Sequence, residues 1–303
     1  MDAIKVRDLA RAYGSTRAVD GISFSVAPGE IFALLGPNGA GKTTTVEILE
    51  GYRLRDAGEV QVLGFDPATG GRAYRERIGI VLQSAGFEED FTVRELVRLQ
   101  ASLYPRRHDV GELIDLVELT DKADVRVKAL SGGQRRRLDL ALGLVGAPEL
   151  LFLDEPTTGF DPAARHRAWE LIARLRELGT TVLLTTHYLE EAQELADRVA
   201  VLRSGRLVAL GTPDELRADG PLAGTISFRL PSGTGAADLP DLAGLVHADG
   251  RLVRVETHRT VADAWRLTGW SIDAGVDLGE FTVSPPTLEE AYLALTGETR
   301  HDR

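Results

Sequence analysis

A glycine-rich stretch that follows a short apolar run constrains the fold more than any other feature of the sequence. Residues 31–35 read Ile-Phe-Ala-Leu-Leu, and residues 36–43 read Gly-Pro-Asn-Gly-Ala-Gly-Lys-Thr, a match to G-x-x-x-x-G-K-[ST]. In this motif backbone N–H groups close on a phosphate, the lysine reaches the β- and γ-phosphate oxygens, and the threonine hydroxyl can hold Mg²⁺. The motif requires a buried strand before the loop and a helix after it, here from about Lys42 to Gly51. The sequence therefore predicts a nucleoside triphosphate site.

Apolar runs and helical patterns alternate through the first two thirds of the chain. Strand-like runs lie at residues 58–63, 78–82, 150–153 and 181–184. Helical patterns lie at residues 92–119, 131–145 and 162–178. Strands with intervening helices predict a mainly parallel α/β sheet that is covered on both faces. Near the start, residues 4–13 and 19–26 alternate apolar with polar side chains, which predicts two antiparallel strands joined by a turn.

The chain divides into two predicted domains. Residues 199–210 are typical of a hairpin, and Thr212-Pro213-Asp214-Glu215 forms a capping box that starts a closing helix. We therefore expect a nucleotide-binding domain at residues 1–219, with a helical subdomain at about 84–150. Strand-like and helical segments after Gly220, ending in a helix at 287–295, predict a small α+β accessory domain at residues 220–303.

Composition narrows the possible functions. The net charge of −11 argues against a general nucleic-acid coat, because such binding depends on basic surface. Arg135-Arg136-Arg137 is the best candidate for a local basic patch, but it opens a helix, and we expect a solvated helix face. No apolar run approaches the roughly 18 residues of a membrane helix, and the first residues lack the regions of a signal peptide. The absence of cysteine excludes disulfides and is compatible with the cytosol.

Polar side chains follow three of the predicted strands. Asp154 and Glu155 end the run at 150–153, His187 follows the run at 181–186, and Gln83 follows the run at 78–82. Parallel-sheet proteins bind ligands at this edge, where Asp154 can hold Mg²⁺ and Glu155 can polarise the water that attacks the γ-phosphate. Each residue also has an ordinary interpretation, since carboxylates cap turns and a lone histidine or glutamine is commonly structural.

A second anion site is predicted where Ser131-Gly132-Gly133-Gln134 opens a helix. The exposed N–H groups and the positive dipole end of a helix N-terminus attract an anion. The phosphate loop already occupies the helix terminus beside the sheet, so a second site for the same nucleotide in one chain makes little sense. A head-to-tail dimer resolves this, because each such helix end then faces the γ-phosphate that the other subunit holds.

The combined motifs resemble the nucleotide-binding subunit of ABC transporters over roughly residues 4–216. This resemblance implies that Leu130–Gln134 is the signature, Gln83 the Q-loop, Asp161 the D-loop aspartate and His187 the switch histidine. It implies Glu155, His187 and Gln83 as catalytic residues, and Thr43, Gln83 and Asp154 as magnesium ligands. The implied contacts to ATP are those of Tyr13, Gly36, Pro37, Asn38, Gly39, Ala40, Gly41, Lys42, Thr43, Thr44, Ser131, Gly133, Gln134 and Asp161. Tyr13 falls where the family stacks an aromatic ring on adenine, and Phe160 stands where the family more often has leucine.

Within this family the chain looks like the single-cassette ATPases of daunorubicin-resistance-type exporters. That likeness rests on residues 134–140, 156–159 and 286–297. It implies a homodimer with ATP and Mg²⁺ at the interface, on the cytoplasmic side of the cell membrane. The implied partner is a separate membrane permease that docks near Gln83 and residues 87–96, and no nucleic acid is expected.

Two other functions remain open from the sequence. The chain could be the ATPase of an importer, or a non-transport ABC ATPase that acts on ribosomes or DNA. The ribosome type carries two cassettes, whereas this chain has one phosphate loop. The DNA-repair type inserts a long coiled coil between the Q-loop and the signature, whereas about 47 residues separate Gln83 from Ser131 here. A pure scaffold is disfavoured because every hydrolytic residue is present.

Overall fold

The computed structural model describes residues 2–82, 86, 88–177, 179–218, 224–284, 288, 290 and 292. The chain forms two compact units, Met1–Pro213 and Asp214–Arg303. The boundary that the sequence predicts between residues 219 and 220 falls outside the described residues, and it stays a prediction.

The first unit contains strands and helices at the predicted positions and two further helices, at residues 71–75 and 189–195. Its described strands are β1 Ile4–Tyr13, β2 Thr16–Val26, β3 Ile31–Leu35, β4 Ala57–Val62, β5 Ile78–Val81, β6 Leu150–Asp154, β7 Thr181–Thr186, β8 Arg198–Arg203 and β9 Arg206–Gly211. Its described α-helices are α1 Lys42–Leu49, α2 Gly71–Arg75, α3 Val93–Ala101, α4 Val110–Leu116, α5 Gly132–Leu144, α6 Pro162–Glu177 and α7 Leu189–Leu195. Two 3₁₀ turns, Thr120–Lys122 and Val127–Ala129, precede α5, and α8 Pro213–Ala218 follows β9.

A six-stranded sheet in the order β5-β6-β7-β3-β8-β9 forms the centre of this unit. Neighbouring strands from β5 to β8 are parallel, and β9 is antiparallel to β8. All five residues of β3 are buried, as its continuous apolar run predicts for a central parallel strand. In the register, Leu35 lies opposite Thr186, and Leu153 lies opposite Leu184. The carboxyl ends of β3, β6 and β7 therefore meet at one edge, where the phosphate loop, Glu155 and His187 follow.

A second sheet of the first unit is antiparallel, in the order β2-β1-β4. Phe24 of β2 stacks on Phe32 of β3, with ring centroids 5.3 Å apart, and this aromatic contact joins the two sheets in one core. Such a pair adds about 0.5–1.5 kcal/mol to the stabilisation from burial. The predicted fold class, a mainly parallel sheet with an antiparallel β subdomain, is confirmed.

The helical pattern predicted at residues 92–119 forms two helices rather than one. Thr92 starts α3 with a capping box to Glu95, and Asp109 caps α4. Pro105 lies between the two helices, and a proline cannot donate the backbone hydrogen bond that a continuing helix needs. The helical subdomain predicted at about 84–150 stays a prediction, and α3, α4 and α5 lie within that range.

The second unit is a small α+β structure. Its strands β10 Gly224–Arg229, β11 Leu245–Asp249, β12 Leu252–Thr257 and β13 Gly279–Ser284 form an antiparallel sheet in the order β11-β12-β10-β13. Helix α9, Thr260–Ala274, contributes Leu267 to a core with Phe228 and Val255. The predicted helix at 287–295 falls mostly outside the described residues. No helix in the described ranges is long and apolar enough to cross a membrane.

Candidate nucleotide and catalytic site

The phosphate loop joins β3 to α1 and depends on glycine at two positions. A Cβ atom at Gly36 would lie 2.4 Å from the carbonyl oxygen of Leu202, so no larger residue fits there. Gly41 has φ of 103° and a Cβ there would lie 2.3 Å from the carbonyl oxygen of Ala18. Gly41 is also the N-cap of α1 and has no side chain to cap it, so the first N–H groups of the helix remain available to a phosphate.

Lys42 lies over this loop and is 5% exposed. Its ammonium group donates to the carbonyl oxygens of Gly36 at 2.6 Å and Pro37 at 3.2 Å. Burial lowers the pKa of Lys42, while Glu155 and Asp154 act in the opposite direction. Thr43, which is exposed, and Thr44 follow in the first turn of α1. The chain's own carbonyl groups thus hold the lysine where a phosphate would compete for it.

Glu155 is the point at which the strand ends converge. Its Oε1 atom lies 3.8 Å from Nζ of Lys42 and 3.2 Å from Nδ1 of His187. Nδ1 of His187 is buried, and it forms no hydrogen bond with any described residue. The hydroxyl group of Thr158 donates to Oε2 at 3.1 Å. The structure therefore brings together a carboxylate, an ammonium group and an imidazole, each of which the sequence analysis had singled out.

The backbone at Glu155 is left-handed, with φ of 46°. This conformation is uncommon outside glycine and costs on the order of 1 kcal/mol or more. It is held by the N–H group of Glu155, which donates to the hydroxyl group of Thr185 at 3.0 Å and to its carbonyl oxygen at 3.2 Å. The same hydroxyl group donates to Oδ1 of Asp154 at 2.5 Å. The sequence analysis missed Thr185, because β7 carries three threonines, at 181, 185 and 186, and the sequence does not show which of them contacts Glu155.

The remaining predicted residues of the nucleotide site differ in exposure, and one of them lies outside the described residues. Tyr13 at the end of β1 is 39% exposed, and the guanidinium carbons of Arg11 and Arg53 lie 5.0 Å and 5.6 Å from its ring centroid. Asn38 and Gly39 are exposed at the tip of the phosphate loop, and Ala40 is buried. Gln83 is outside the described residues, as is Phe87 in the predicted permease-docking segment.

The signature residues line a different space from the phosphate loop. Ser131 caps α5 and forms a capping box with Gln134, and Asp161 accepts a hydrogen bond from the N–H group of Ala164. Ser131, Gly133, Gln134 and Asp161 line one cavity of about 610 Å³, and no residue of the phosphate loop lines it. Within one chain the described structure does not bring the signature to the phosphate loop.

Arg136 corrects the expectation of a solvated arginine face. Arg135 and Arg137 are partly exposed and face Glu89 and Glu118, but only 13% of the Arg136 side chain is exposed. The Arg136 guanidinium donates to four backbone carbonyl groups, those of Leu82, Asp154, Glu155 and Pro156. The expectation was wrong for Arg136 because its position on α5 turns it towards the sheet edge.

Asp139 accompanies Arg136 one turn further along α5. The two charged groups lie 3.6 Å apart and both are largely withdrawn from water. Burial raises the pKa of Asp139 to about 6, and the neighbouring Arg136 limits that rise. Burial also lowers the pKa of Arg136. Arg136, paired with Asp139, ties the signature helix to the backbone on both sides of Glu155.

Comparison with protein families gives two matches along the chain. The ABC transporter family matches residues 19–158, and the C-terminal domain of ABC transporter domain-containing protein-like proteins matches residues 224–287. The daunorubicin resistance ATP-binding protein DrrA3 of Streptomyces coeruleorubidus is 40% identical over an alignment that covers 98% of this chain and 97% of that protein. The Nod factor export ATP-binding protein I of Paraburkholderia xenovorans (strain LB400) is 40% identical over 99% of both chains.

Solved structures agree with these matches. A structure described as an ATP binding subunit of an ABC transporter is 28% identical, with a TM-score of 0.64 over 71% of this chain and 92% of that chain. The cbiO1 protein of Clostridium perfringens, part of the ABC transporter complex cbiONQ, is 29% identical, with a TM-score of 0.65 over 72% of this chain and 91% of that one. The chain belongs to the ATP-binding proteins of ABC transporters. It binds ATP, and it is an ATPase whose hydrolysis is coupled to transport.

Proposed function

We propose that the chain powers export of a small molecule through a separate membrane permease, acting as a head-to-tail homodimer on the cytoplasmic side of the cell membrane. The observation that carries this proposal is the division of the predicted site into two parts. Lys42, Glu155 and His187 converge at one sheet edge, while Ser131 and its neighbours line a separate cavity. Each part is half of an ATP site, and two chains arranged head to tail supply both halves.

The phosphate loop and the strand ends bind ATP and activate water. Lys42 exchanges the carbonyl groups of Gly36 and Pro37 for the β- and γ-phosphate oxygens, which bear more charge than carbonyl oxygens. Glu155, whose Oε1 atom lies 3.8 Å from Nζ of Lys42 before ATP binds, accepts the proton of the attacking water, while His187 orients the γ-phosphate. Tyr13 offers an exposed ring on which adenine can stack.

Oxygen ligands suited to Mg²⁺ occur in the first turn of α1 and at the end of β6. Thr43 offers a hydroxyl group and Asp154 a carboxylate, and hard cations such as Mg²⁺ prefer these donors. No group of three or more acidic, histidine or cysteine side chains that could hold a metal occurs among the described residues, so the nucleotide itself would complete the coordination. Mg²⁺ would neutralise charge that develops on the phosphates, and Gln83 remains the further proposed ligand.

The two glycines of the signature support the dimer. A Cβ atom at Gly132 or at Gly133 would meet nothing within 4 Å among the described residues. The packing of the chain itself therefore does not require glycine at either position, although glycine weakens a helix by about 1 kcal/mol relative to alanine. Close approach of a phosphate group held by a second subunit accounts for both, because an added methyl group would stand between it and the N–H groups of α5.

Export is favoured over import by the relatives. The similar proteins are described as acting in daunorubicin resistance and in Nod factor export, and both match this chain nearly from end to end. The contacts to the cargo are assigned to the permease, and the proposed cargo is a small molecule.

Mixed subunits test the proposed dimer. Ser131→Arg should leave ATP binding nearly intact but prevent hydrolysis, because it blocks the half-site offered to the partner. Lys42→Ala should abolish ATP binding and hydrolysis. A mixture of the two variants retains one composite site with an intact Lys42 and an intact Ser131, and it should recover part of the wild-type ATPase rate. Phosphate release that stays at background at every mixing ratio would contradict the head-to-tail arrangement.

A further inference from the structure

A buried carboxyl group, Glu191, lies behind the catalytic loops in α7. Its side chain is fully buried. Its Oε1 atom accepts a hydrogen bond from the hydroxyl group of Thr157 at 2.7 Å and one from Nε1 of Trp169 at 3.2 Å. Thr157 is also fully buried, and Trp169 belongs to α6. One carboxyl oxygen thus joins α7, α6 and the loop after β6.

The segments that meet at Glu191 are those that carry the proposed catalytic groups. Thr157 is two residues after Glu155, in the loop that continues to Asp161. Helix α7 begins two residues after His187. The 3.2 Å distance between Oε1 of Glu155 and Nδ1 of His187 therefore depends on how these two segments are held against each other. The hydrogen bond from Thr157 to Glu191 joins these two segments, in addition to the bonds from the N–H group of Glu155 to Thr185.

The second carboxyl oxygen of Glu191, Oε2, makes the residue energetically unfavourable if its role is only structural. Oε2 is buried and has no hydrogen-bond partner in the described part of the chain. An unsatisfied buried polar atom costs about 1–3 kcal/mol. Burial raises the pKa of Glu191, which favours the neutral carboxyl group, and the hydrogen bonds from Thr157 and Trp169 and the charge of Arg165 oppose that rise. An apolar side chain would avoid this cost, but it could not accept the hydrogen bond of Thr157.

We propose that Glu191 is a positioning residue for ATP hydrolysis. Its Oε1 atom holds the loop that carries Glu155 against the segment that carries His187, so that the carboxylate and the imidazole face the same phosphate. This inference rests on the proposed function, since it assigns Glu191 a task in that reaction. Glu191 would not itself contact the nucleotide.

The test compares kcat, KM and nucleotide affinity for Glu191→Ala and Glu191→Gln in the full chain. Glu191→Ala should lower kcat about 10–100-fold, the size of effect expected when reacting groups shift by about 1 Å. The Kd for ATP, measured by calorimetry, should change less than about twofold, because the phosphate loop is untouched. Glu191→Gln should restore at least half of kcat, since its amide oxygen can accept the same two hydrogen bonds.

Thr157→Val removes the same hydrogen bond from the other side with little change in volume. It should lower kcat in the same direction, and it carries the test if Glu191→Ala fails to fold. In the double variant Glu191→Ala/Thr157→Val, kcat should fall no further than in the worse single variant, because one interaction is lost once.

Asp263 of α9 provides a matched control in the second unit. It is also fully buried, and it accepts hydrogen bonds from the hydroxyl group of Thr257 at 2.6 Å and the N–H group of Ala243 at 3.0 Å. Asp263→Ala should lower Tm but leave kcat unchanged per folded molecule. A role for Glu191 in stability alone would give Glu191→Ala this same result.

The outcomes separate the two claims. A Glu191→Ala variant with wild-type kcat, or a Glu191→Gln variant as impaired as Glu191→Ala, overturns the positioning role alone. If the wild-type protein shows no ATP hydrolysis that is lost in Lys42→Ala, the proposed function is overturned. The positioning role of Glu191 then falls with it.

Discussion

At the scale of single residues, backbone geometry and buried charge decide which atoms meet at the sheet edge. Glu155 adopts a left-handed backbone that Thr185 stabilises, and this directs its carboxylate towards Lys42 and His187. Arg136 holds the same loop from the side of α5, because its guanidinium group donates hydrogen bonds to the backbone carbonyl groups of the loop. Contacts from β7 and from α5 thus stabilise the strained backbone at Glu155, and the proposed catalytic role would account for the strain.

Arg136→Lys tests the importance of the planar guanidinium group. Lysine keeps the charge beside Asp139 but has one nitrogen instead of three, and it cannot reach four carbonyl groups. We expect the variant to lose at least ~2 kcal/mol of unfolding free energy, since hydrogen bonds to charged groups are worth about 1.5–3 kcal/mol each. Urea unfolding measures this loss.

Arg135→Lys is the control for that substitution. Arg135 lies one residue earlier, and a third of its side chain is exposed beside Glu89. The change should cost less than ~1 kcal/mol, as is usual for surface ion pairs. Equal effects at the two positions would contradict the bridging role of Arg136.

At the scale of elements, helix α1 ends at a buried carboxyl group that two other carboxylates influence. Glu50 is the C-cap residue and is buried. Burial raises the pKa of Glu50 to about 8, and the nearby carboxylates of Asp154 and Glu47 add to the rise. The folded protein therefore holds a proton at Glu50 that the unfolded chain releases above pH ~4.5.

Glu50→Gln should stabilise the protein more at pH 8 than at pH 5.5. Because the folded state binds more protons between pH ~4.5 and about 8, wild-type stability falls as pH rises through that window, by up to ~1.4 kcal/mol per pH unit. Glutamine has no such proton, so the Tm advantage of the variant should grow by at least ~3 °C between the two pH values.

The control for Glu50→Gln is Glu59→Gln on β4. The Glu59 side chain is 81% exposed. Its substitution should change Tm by a similar small amount at pH 5.5 and at pH 8. A Tm difference for Glu50→Gln that stays constant with pH would show that Glu50 is ionised in the folded protein.

The elements also show how far sequence reasoning reaches. The phosphate loop, its strand and its helix were predicted correctly because their chemistry is local and each position is tied to the phosphate. Arg136 was not, because three consecutive arginines give no one-dimensional signal for which one faces inward. Glu191 was missed for a related reason, since its partners Thr157 and Trp169 come from segments 22 to 34 residues away. Such contacts follow from packing and not from motif spacing.

At the scale of the whole molecule, each chain is proposed to contribute one half to each of two ATP sites. The cavity lined by the signature contains no residue of the phosphate loop, and packing among the described residues does not require glycine at positions 132 and 133. Closure of two chains around ATP would join these halves, and hydrolysis would release them. The subunits should therefore associate in response to the γ-phosphate.

Glu155→Gln tests this central claim most directly. The substitution keeps the shape and reach of the side chain but removes its capacity to accept a proton, so turnover should fall by at least ~100-fold. ATP binding should survive, because Lys42, Thr43 and Asp154 are unchanged. Since hydrolysis would no longer separate the subunits, the variant should accumulate as an ATP-bound dimer.

The measurement is the mass of Glu155→Gln by light scattering with ATP–Mg²⁺ and with ADP–Mg²⁺. The comparison between nucleotides is needed because the second unit could dimerise the chain by itself. We expect ATP to double the mass. ADP should not double it, because ADP lacks the γ-phosphate that Ser131 and Gly133 are proposed to hold. Equal masses with the two nucleotides, or wild-type hydrolysis by Glu155→Gln, would contradict the proposed mechanism.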